Sequence, residues 1–434
     1  MSAESRPELR IGVAGLGTVG VGVLKLLEAN GGLLAQRCGR QLRVTAVSAR
    51  DRNRERGVDV SQATWYDSAE AMASDNAVDV VVELIGGEDG PAKALVEAAI
   101  ANGKSVVTAN KALIARHGNA LARAAEDKGV NLSFEAAVAG GIPIVKVLRE
   151  SFAGNRLSRI YGILNGTCNF ILTQMEENAA EFDEVLAEAQ RLGYAEADPS
   201  FDVDGVDAAH KLAILASVSF GRPVDFDSVH IEGIRQVSAL DIAYAKELGY
   251  RIKLLGIAGL TDHGVEQRVH PCMVPENSPI AHVAGVYNAV VVEGDFVGQA
   301  VFEGQGAGAG PTASAVVGDL ADIARGQRVP PFGVASDSFQ TLPAAPMPRH
   351  RGPYYLRLKV LDQPGVMADI SAILRDHAVS IESVLQRGRS PDDAVSVIMT
   401  MHETEEAAMT AALSGIKNLS AVLEPPCMIR IEHF

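Results

Sequence analysis

The chain has 434 residues, more than one ordinary core accommodates, so two or three domains are expected. Hydrophobic residues make up 47% of the sequence and charged residues 21%, as is usual for globular proteins. The formal net charge of -15 opposes binding to nucleic acid or to an anionic membrane surface, and neither is expected as a partner.

The cysteines and the first residues bear on the compartment. Cys38, Cys168, Cys272 and Cys427 lie far apart and form no CxxC pair, which favours reduced thiols in a cytoplasmic protein. The start, MSAESRPELR, lacks the apolar core of a signal peptide. No apolar run is expected to approach the ~18 residues of a membrane helix. Without an HxxxH or HExxH pattern, a catalytic metal is not expected either.

Strands and helices alternate over residues 1–135. The predicted strands are 9–14, 42–48, 78–85 and 105–108, and the predicted helices include 19–27 and 91–102. Nearly continuous apolar runs are typical of parallel strands that are covered on both faces. The pattern predicts an α/β fold with a doubly wound, Rossmann-type sheet that binds a dinucleotide.

A glycine-rich turn follows the first predicted strand and opens the first helix. Its residues are Gly15, Leu16, Gly17, Thr18, Val19 and Gly20. The glycines allow a tight turn, close approach to a pyrophosphate and packing of helix on strand, and the helix N-terminus offers its N–H groups to the phosphates. A tight turn without a ligand is the alternative, but the strand–turn–helix context favours dinucleotide binding.

The end of the second strand bears on which dinucleotide binds. An NAD site usually has an acidic residue there, whereas this strand is followed by Arg50, with Arg52, Arg54 and Arg56 beyond it. A guanidinium can grip a 2′-phosphate with paired hydrogen bonds, which favours NADP. A solvated basic loop is the alternative, and because Asp51 follows directly, use of NAD stays open.

An α+β domain is predicted over residues 136–328. Its acidic segment, 193–211, contains candidate catalytic residues. Asp207 and Lys211 are neighbours four residues apart on one helix face, ahead of an apolar run. A lysine held in this way can polarise a carbonyl or transfer a proton, and a structural ion pair is an equal alternative. A calcium loop is disfavoured because Lys211 stands where the final carboxylate ligand would be.

A second lysine, Lys111, follows the strand 105–108. It therefore falls at the carboxyl edge of the predicted sheet, where ligands bind in such folds. An exposed lysine at the start of a helix is an equal alternative.

The end of the chain is predicted to be a separate small domain. The stretch 329–353 is rich in proline, which disfavours a helix or a central strand, and is interpreted as a linker. Residues 354–434 then follow a βαββαβ order, a ferredoxin-like arrangement.

Several segments together resemble the homoserine dehydrogenase family. They are GLGTVG (15–20), VVELIGG (81–87), TANKALIA (108–115), EAAVAGGIPIV (135–145), LNGTCNFIL (164–172), GYAEADPSFDVDGVDAAHKLAILA (193–216) and GQGAGAGPTASAVVGDL (304–320). They run in the family's order over most of residues 9–330. The resemblance implies interconversion of aspartate semialdehyde and homoserine with a nicotinamide cofactor, on the route to threonine, methionine and isoleucine.

The resemblance also implies roles for individual residues. Lys211 matches a proton-donating lysine, Asp207 and Glu196 match substrate-binding carboxylates in a site that includes Gly193, and Lys111 matches a lysine near the nicotinamide. The residues that match cofactor contacts are Leu16, Thr18, Val19, Arg50 and the loop around Gly308. A sodium ion bound by main-chain oxygens is implied at Glu135, Val138, Gly140 and Ile142.

Residues 354–434 look like an ACT domain, because the turn Asp362-Gln363-Pro364-Gly365-Val366 and its helix match that signature. This implies an amino-acid effector, with L-threonine first, near Asp362, Gly365, Val366 and Met367, and a paired assembly such as a homodimer or homotetramer. A dimerisation unit without a ligand is the alternative. The remaining alternatives for the whole chain are another NADP-linked reductase of a small amino-acid aldehyde and a non-catalytic sensor.

Overall fold

The computed structural model describes residues 8–387 and 394–434, which fall into two compact units. The first unit combines the chain up to residue 166 with residues 207–229 and 286–342. The second combines residues 167–206, 230–285 and those from 343 onward. Each unit is thus assembled from three separate stretches of chain.

Six parallel strands form one sheet of the first unit, in the order β3-β2-β1-β4-β5-β6. They are β1 (Glu8–Ala14), β2 (Gln41–Ser48), β3 (Thr64–Tyr66), β4 (Val80–Glu83), β5 (Ser105–Thr108) and β6 (Leu132–Ser133). The connecting helices are α1 (Thr18–Cys38), α2 (Ala69–Ser74), α3 (Pro91–Ala101) and α4 (Lys111–Lys128). The strand order reverses between β1 and β4, where such sheets bind ligands beyond their carboxyl ends. The predicted doubly wound sheet is confirmed.

The remaining elements of the first unit complete its core. They are α5 (Ile144–Lys146), β7 (Leu157–Ile163), α9 (Val206–Phe220), β11 (Tyr287–Gly294), β12 (Gly298–Gln305) and α11 (Ala309–Ala324). Strand β11 lies between β7 and β12 and is antiparallel to both. Helix α11 packs along α1, and its Val316 and Leu320 share one apolar core with the sheet.

Helix α1 corrects one expectation from the sequence. Its 21 residues are long and apolar enough, by length and composition alone, to cross a membrane, so the prediction that no run approaches such a span is wrong. Val23, Leu24 and Leu27 are nevertheless buried in the core of the first unit, against the sheet and α11. The apolarity of α1 is that of a helix in a packed βαβ unit.

The second unit contains the other helices and a mixed sheet. Its elements before residue 286 are α6 (Gly166–Asn178), α7 (Phe182–Arg191), α8 (Ser200–Val203), β8 (His230–Ile231), α10 (Ala239–Glu247), β9 (Tyr250–Thr261) and β10 (Gly264–Pro275). Strands β9 and β10 pair antiparallel along their whole length, and β8 adds a short parallel pairing to β10.

The C-terminal part of the second unit has the predicted βαββαβ order. Its elements are β13 (Arg351–Leu361), α12 (Val366–Asp376), β14 (Ile381–Gln386), β15 (Ala394–Glu405), α13 (Glu406–Lys417) and β16 (Cys427–Ile431). The strands lie in the order β16-β13-β15-β14 and are antiparallel. Strand β16 also pairs parallel with β10, so this small sheet continues into the β9–β10 pair.

Ion pairs with buried arginines lie where β16 joins the small C-terminal sheet to the β9–β10 pair. Arg430 on β16, which is 1% exposed, donates to Glu232 at 2.8 Å and to Glu406 at 3.0 Å. Arg268 on β10 is paired with Glu432, which follows β16. Because charges buried without partners are costly, these pairs specify how β16 and its neighbours fit together.

The proline-rich stretch 329–353 departs from a plain linker. Phe332 is fully buried, and its ring centroid lies 5.1 Å from that of Phe134 in the first unit. At the other end, β13 begins at Arg351 and includes Pro353, so the expectation of no central strand in this stretch is wrong there. Pro353 is accommodated because the pairing with β15 shifts register between Gly352 and Tyr354.

Candidate active site

The glycine turn after β1 has the shape that a dinucleotide pyrophosphate requires. Gly15 has a φ of 96°, and a Cβ there would lie 2.3 Å from the carbonyl oxygen of Leu84. A Cβ at Gly20 would lie 2.0 Å from the carbonyl oxygen of Gly15. At Gly17, by contrast, no described atom lies within 4 Å of that position, and no side chain caps the first turn of α1. The turn therefore leaves backbone N–H groups open to a phosphate, and a dinucleotide fits here.

Arg50 lies beside this turn. The N–H of Gly15 donates to the carbonyl oxygen of Ser48 at 2.9 Å, which fixes the end of β2 against the turn two residues before Arg50. The guanidinium groups of Arg52 and Arg56 lie 5.8 and 5.6 Å from the ring centroid of Trp65. Arg50 is exposed and forms no hydrogen bond or ion pair within the described chain, so its guanidinium is available for a ligand.

Glu83 fixes the loop that follows β4 at the edge of the sheet, and it is not among the residues predicted for the site. It ends β4, is fully buried, and accepts hydrogen bonds from the N–H groups of Ile85 and Gly86 at 2.7 and 3.0 Å. Its other oxygen accepts from the Thr108 hydroxyl at 2.5 Å. A carboxylate at the end of an otherwise apolar strand was the available signal.

Asn110 places Lys111 at the start of α4. Its side chain accepts from the N–H of Leu113 at 3.1 Å, which caps the helix, and donates to the carbonyl oxygen of Gly87 at 2.6 Å. Lys111 is consequently the first helical residue, at the carboxyl edge of β5 as predicted.

Asp207 brings the two predicted lysines together. Its Oδ1 lies 2.9 Å from Nζ of Lys111 and its Oδ2 lies 2.7 Å from Nζ of Lys211. Asn165, after β7, donates to Oδ2 at 2.8 Å, and Nζ of Lys211 also donates to the carbonyl oxygen of Leu164 at 2.7 Å. The expected pair of Asp207 and Lys211 is present, whereas the shared contact with Lys111 and the part of Asn165 were not foreseen.

The electrostatics of this cluster favour a charged carboxylate. Burial by itself raises the pKa of Asp207, but attraction to Lys211 and then Lys111 outweighs it and holds that pKa well below its usual range. The side chain of Asp207 is 5% exposed, that of Lys211 11% and that of Lys111 32%. Two ammonium groups and one carboxylate thus leave one surplus positive charge in a largely buried cluster, where a developing oxyanion is stabilised.

His210 lies next to this cluster on α9. Its ring stacks on Phe226, with centroids 4.3 Å apart. Burial lowers the pKa of His210 to about 4, so the ring is neutral at neutral pH.

The other residues predicted for the substrate, Gly193 and Glu196, belong to the second unit. Both are exposed in the loop after α7, where Gly193 has a φ of 78° and the carbonyl oxygen of Glu196 accepts from Gln190 at 3.0 Å. The lysines and Asp207 belong to the first unit.

The segment predicted for sodium lies in the first unit, beside the loop that leads to Gly308. Both oxygens of the Glu135 side chain accept backbone N–H groups, from Val145 at 2.9 Å and Lys146 at 2.8 Å. A Cβ at Gly140, whose φ is 49°, would lie 2.4 Å from the carbonyl oxygen of Gly306. The carbonyl oxygens of Glu135 and Ile142 each accept one backbone N–H, and since a carbonyl has two lone pairs, a cation is compatible with them.

Gly308 and the predicted effector turn each precede a helix. Gly308, with a φ of 118°, precedes α11 without a side-chain cap. Gly365, with a φ of 98°, precedes α12, and Asp362 in the same turn accepts from Gln386 at 3.4 Å. Val366 is buried and Met367 half-buried.

A doubly wound sheet, a phosphate-ready glycine turn and a lysine–carboxylate cluster at its carboxyl edge define the class: this is a nicotinamide-dinucleotide-dependent oxidoreductase. Comparison with known proteins gives the family. Residues 15–135 match the homoserine dehydrogenase NAD-binding domain, residues 143–321 match homoserine dehydrogenase, and residues 354–414 match the ACT domain.

Relatives cover the whole chain. It is similar to a homoserine dehydrogenase of Pseudomonas aeruginosa, at 46% identity over 98% of this chain and 99% of that protein. The crystal structure of a homoserine dehydrogenase from Thiobacillus denitrificans superposes with a TM-score of 0.93, at 47% identity and 98% coverage of both chains. A hyperthermophilic archaeal homoserine dehydrogenase in complex with NADPH gives a TM-score of 0.64 at 27% identity, covering 74% of this chain and 99% of that one.

The chain therefore belongs to the homoserine dehydrogenase family, and it carries an ACT domain at its C-terminal end. Its reaction is the NAD(P)-linked interconversion of L-homoserine and L-aspartate 4-semialdehyde, an oxidoreduction at a CH–OH group.

Proposed function

We propose that the chain reduces L-aspartate 4-semialdehyde with NADPH and that Lys211 donates the proton. The observation that carries this proposal is the pair of lysines held by the two oxygens of Asp207, at 2.7 and 2.9 Å. The archaeal relative described above is complexed with NADPH, and Arg50 supplies this chain with an exposed partner for a 2′-phosphate.

The chain's own residues supply the proton chemistry. A bound nicotinamide supplies the hydride, and negative charge then develops on the aldehyde oxygen. The ammonium of Lys211 has three N–H bonds, of which two point to Leu164 and Asp207, so one remains for that oxygen. Lys211 thereby stabilises the charge and transfers the proton from Nζ.

The remaining site residues orient substrate and cofactor in this proposal. Lys111 adds positive charge beside the nicotinamide and keeps Asp207 ionised. Glu196, in the loop that contains Gly193, binds the ammonium group of the amino acid. The cofactor contacts are Gly15, Leu16, Gly17, Thr18, Val19, Gly20, Arg50, Lys111 and Gly308.

The direct test is oxidation of L-homoserine at alkaline pH by the purified chain, followed by NADPH absorbance. We expect NADPH formation with NADP and slower reduction of NAD at equal concentration. A correctly folded chain that forms no reduced cofactor from L-homoserine with either dinucleotide would contradict the proposal.

A sodium ion is proposed at the carbonyl oxygens of Glu135, Val138, Gly140 and Ile142, since hard cations prefer oxygen ligands. The check is thermal unfolding in sodium chloride and in choline chloride at equal ionic strength. We expect a higher midpoint with sodium, because a ligand that binds only the folded state stabilises it. Equal midpoints would speak against the site.

Regulation by L-threonine is proposed at the turn of Asp362, Gly365, Val366 and Met367, where a carboxylate would face the start of α12. We also propose that ACT domains of two chains pair, giving a homodimer or homotetramer in the cytoplasm. The four cysteines are free thiols, which supports a reducing compartment. Light scattering of the purified chain distinguishes these assemblies from a monomer.

A further inference from the structure

A cavity in the second unit has no part in the reaction described above. Its volume is about 290 Å³, and it is bounded by helices α6 and α10 and strand β9. Its charged walls are Glu176 and Glu177 from α6, Lys246 from α10, and Arg251 and Lys253 from β9. A volume near 300 Å³ is at the lower end of small-molecule sites, which suits a compact ligand.

Lys253 is the least usual of these residues. It is 2% exposed, and its Nζ donates to the carbonyl oxygen of Val283 at 2.7 Å and to Oδ1 of Asn169 at 3.4 Å. No described carboxylate forms a salt bridge with Lys253 within 4 Å, and Glu176 and Glu177 attract its ammonium only from farther away. Its third N–H remains for a partner in the cavity. Because buried charges are normally paired at close range, this remaining N–H favours a ligand that brings an anionic oxygen.

Arg251 provides a second incomplete contact. Its Nε is buried without a hydrogen-bond partner among the described residues, although Oε1 of Glu176 lies 3.6 Å away and Oε1 of Glu276 lies 3.3 Å from Nη2. A buried donor without an acceptor costs about 1–3 kcal/mol, and a ligand oxygen would satisfy it. Lys246 is exposed at the rim and forms no ion pair within the described chain.

Two negatively charged side chains also line the cavity, which limits the class of ligand that it can bind. Glu176 and Glu177 line the same space as the three cations, so a ligand with only a carboxylate would also meet negative charge. A ligand with an ammonium group beside its carboxylate is complementary to both. The other lining residues, Thr173 and Ala284, are small and offer little apolar surface, which disfavours a large apolar side chain.

We propose that this cavity binds a small polar α-amino acid as its zwitterion, with the carboxylate at Lys253 and Arg251 and the ammonium at Glu176 and Glu177. This site is separate from the ACT turn at Gly365 and from the lysines of the catalytic cluster. Burial also lowers the pKa of Lys253 to about 8, against the opposing attraction of Glu176, so a bound carboxylate would increase the protonated fraction of that lysine.

The test is isothermal titration calorimetry of the full chain with L-threonine and L-serine as probes. Lys253→Met removes the ammonium with little change of length, Lys253→Arg keeps a positive charge, and Lys359→Met on β13 is the matched control. We expect about ten- to hundredfold weaker binding at one site per chain in Lys253→Met, since a charge-assisted hydrogen bond is lost. Lys253→Arg should bind more tightly than Lys253→Met, and Lys359→Met should bind as the unaltered chain does.

Two further measurements test whether the cavity is separate from the catalytic cluster and whether it needs both charged groups of the ligand. The KM for L-homoserine should stay unchanged in Lys253→Met, because Lys253 is not part of the catalytic cluster. Acetate and ethanolamine, which carry one charged group each, should bind at least tenfold more weakly than L-serine. The proposal is overturned if Lys253→Met binds both amino acids as the unaltered chain does, if neither probe binds at this site, or if acetate equals L-serine.

Discussion

Asp207 is a single buried carboxylate that holds two lysines from different helices. Each carboxylate oxygen of Asp207 contacts one ammonium group. Removing this carboxylate would leave two positive charges close together without its negative charge to neutralise them. Lys211 is the more enclosed of the two lysines, and its Nζ donates to Leu164 as well as to Asp207. The roles of the two lysines can therefore be separated by substitution.

Lys211→Ala is expected to lower kcat by ~10²–10⁴-fold, the usual contribution of general acid catalysis, and to leave the Kd for NADP nearly unchanged. The comparison is steady-state kinetics and cofactor titration beside Lys128→Ala, an exposed lysine at the end of α4. A kcat equal to that of the unaltered chain would mean that the pair of Lys211 and Asp207 is structural only.

Arg50→Ala is expected to raise the KM for NADP by roughly ten- to hundredfold, because a charge-assisted contact to the 2′-phosphate is lost. The KM for NAD should change little, since NAD lacks that phosphate. Arg54→Ala, in the same exposed loop, is the control. If the ratio of the two KM values stays constant in Arg50→Ala, another residue reads the phosphate.

His210 predicts a dependence of stability on acid. Burial lowers its pKa to about 4 in the folded chain, whereas an unfolded histidine titrates near 6.5. Stability contributed by the neutral ring is therefore present above pH 6.5 and is lost as the pH falls towards 4, by about 3 kcal/mol. Urea unfolding of the unaltered chain and of His210→Gln between pH 7 and 4 should show this difference. His402→Gln, at an exposed site, should follow the unaltered chain, and parallel curves for His210→Gln would contradict the expectation.

Some residues of the candidate active site could be predicted from the sequence, and others could not. Asp207 and Lys211 are four residues apart on one helix, so helical periodicity alone pairs them. Lys111 and Asn165 reach the same carboxylate from segments far away in sequence, and no spacing rule relates them. Glu196 was identified only through resemblance, and its proposed role in binding substrate stays a prediction.

At the scale of elements, α1 shows how glycine spacing fixes a helix pair. A Cβ at Gly22 would lie 2.7 Å from the carbonyl oxygen of Ala309, the first residue of α11. Gly22 thus lets the start of α11 approach α1 closely, next to the glycine turn. Gly31, further along the same helix, has no described atom within 4 Å of a Cβ position.

Gly22→Ala is therefore expected to destabilise the chain by about 1–3 kcal/mol through overpacking, and to weaken NADP binding as α11 is displaced. Gly31→Ala should instead stabilise it by roughly 0.5–1 kcal/mol, because alanine is the better residue within a helix. Urea unfolding of both variants measures whether each substitution lowers or raises the free energy of unfolding. A stabilised Gly22→Ala chain would contradict the close packing of α1 and α11.

Element types followed from periodicity, whereas long-range pairing did not. The four predicted strands and the helix 91–102 match β1, β2, β4, β5 and α3 to within a few residues, and the βαββαβ order was also predicted. Helix α1 is longer than predicted, and no bounds were predicted for β3, α2, α4 or β6. No local sequence pattern in Cys427–Ile431 predicts that β16 pairs with β10 as well as with β13. Proline content likewise did not reveal the burial of Phe332 or the register shift that admits Pro353 into β13.

At the scale of the whole molecule, the ACT sheet shares β16 with the β9–β10 pair, so deleting residues from 343 onward would expose an edge of β10 and remove the partner of Arg268. Regulation is better tested in the full chain. Gly365→Asp adds a carboxylate at the start of α12, whereas Gly365→Asn adds a neutral side chain of the same shape that tolerates the left-handed conformation equally well.

We expect L-threonine to inhibit the unaltered chain and Gly365→Asn, and to inhibit Gly365→Asp at least tenfold more weakly, since two carboxylates repel each other. The measurement is initial rate against L-threonine concentration. Equal inhibition of all three chains would place the effector elsewhere, and the absence of inhibition in the unaltered chain would favour an assembly role for the ACT domain.

The position of β16 also has a consequence for biosynthesis. This strand lies between β10 and β13, yet its residues, Cys427–Ile431, leave the ribosome after both of those strands. Until then, β13 has an unpaired edge and β10 is paired on that side only by the short β8, and unpaired edges are where growing chains associate wrongly. The six parallel strands of the first unit, by contrast, all lie before residue 134 and are synthesised much earlier. A nascent chain therefore has every strand of the cofactor-binding sheet well before β16 joins β10 to β13 in the second unit.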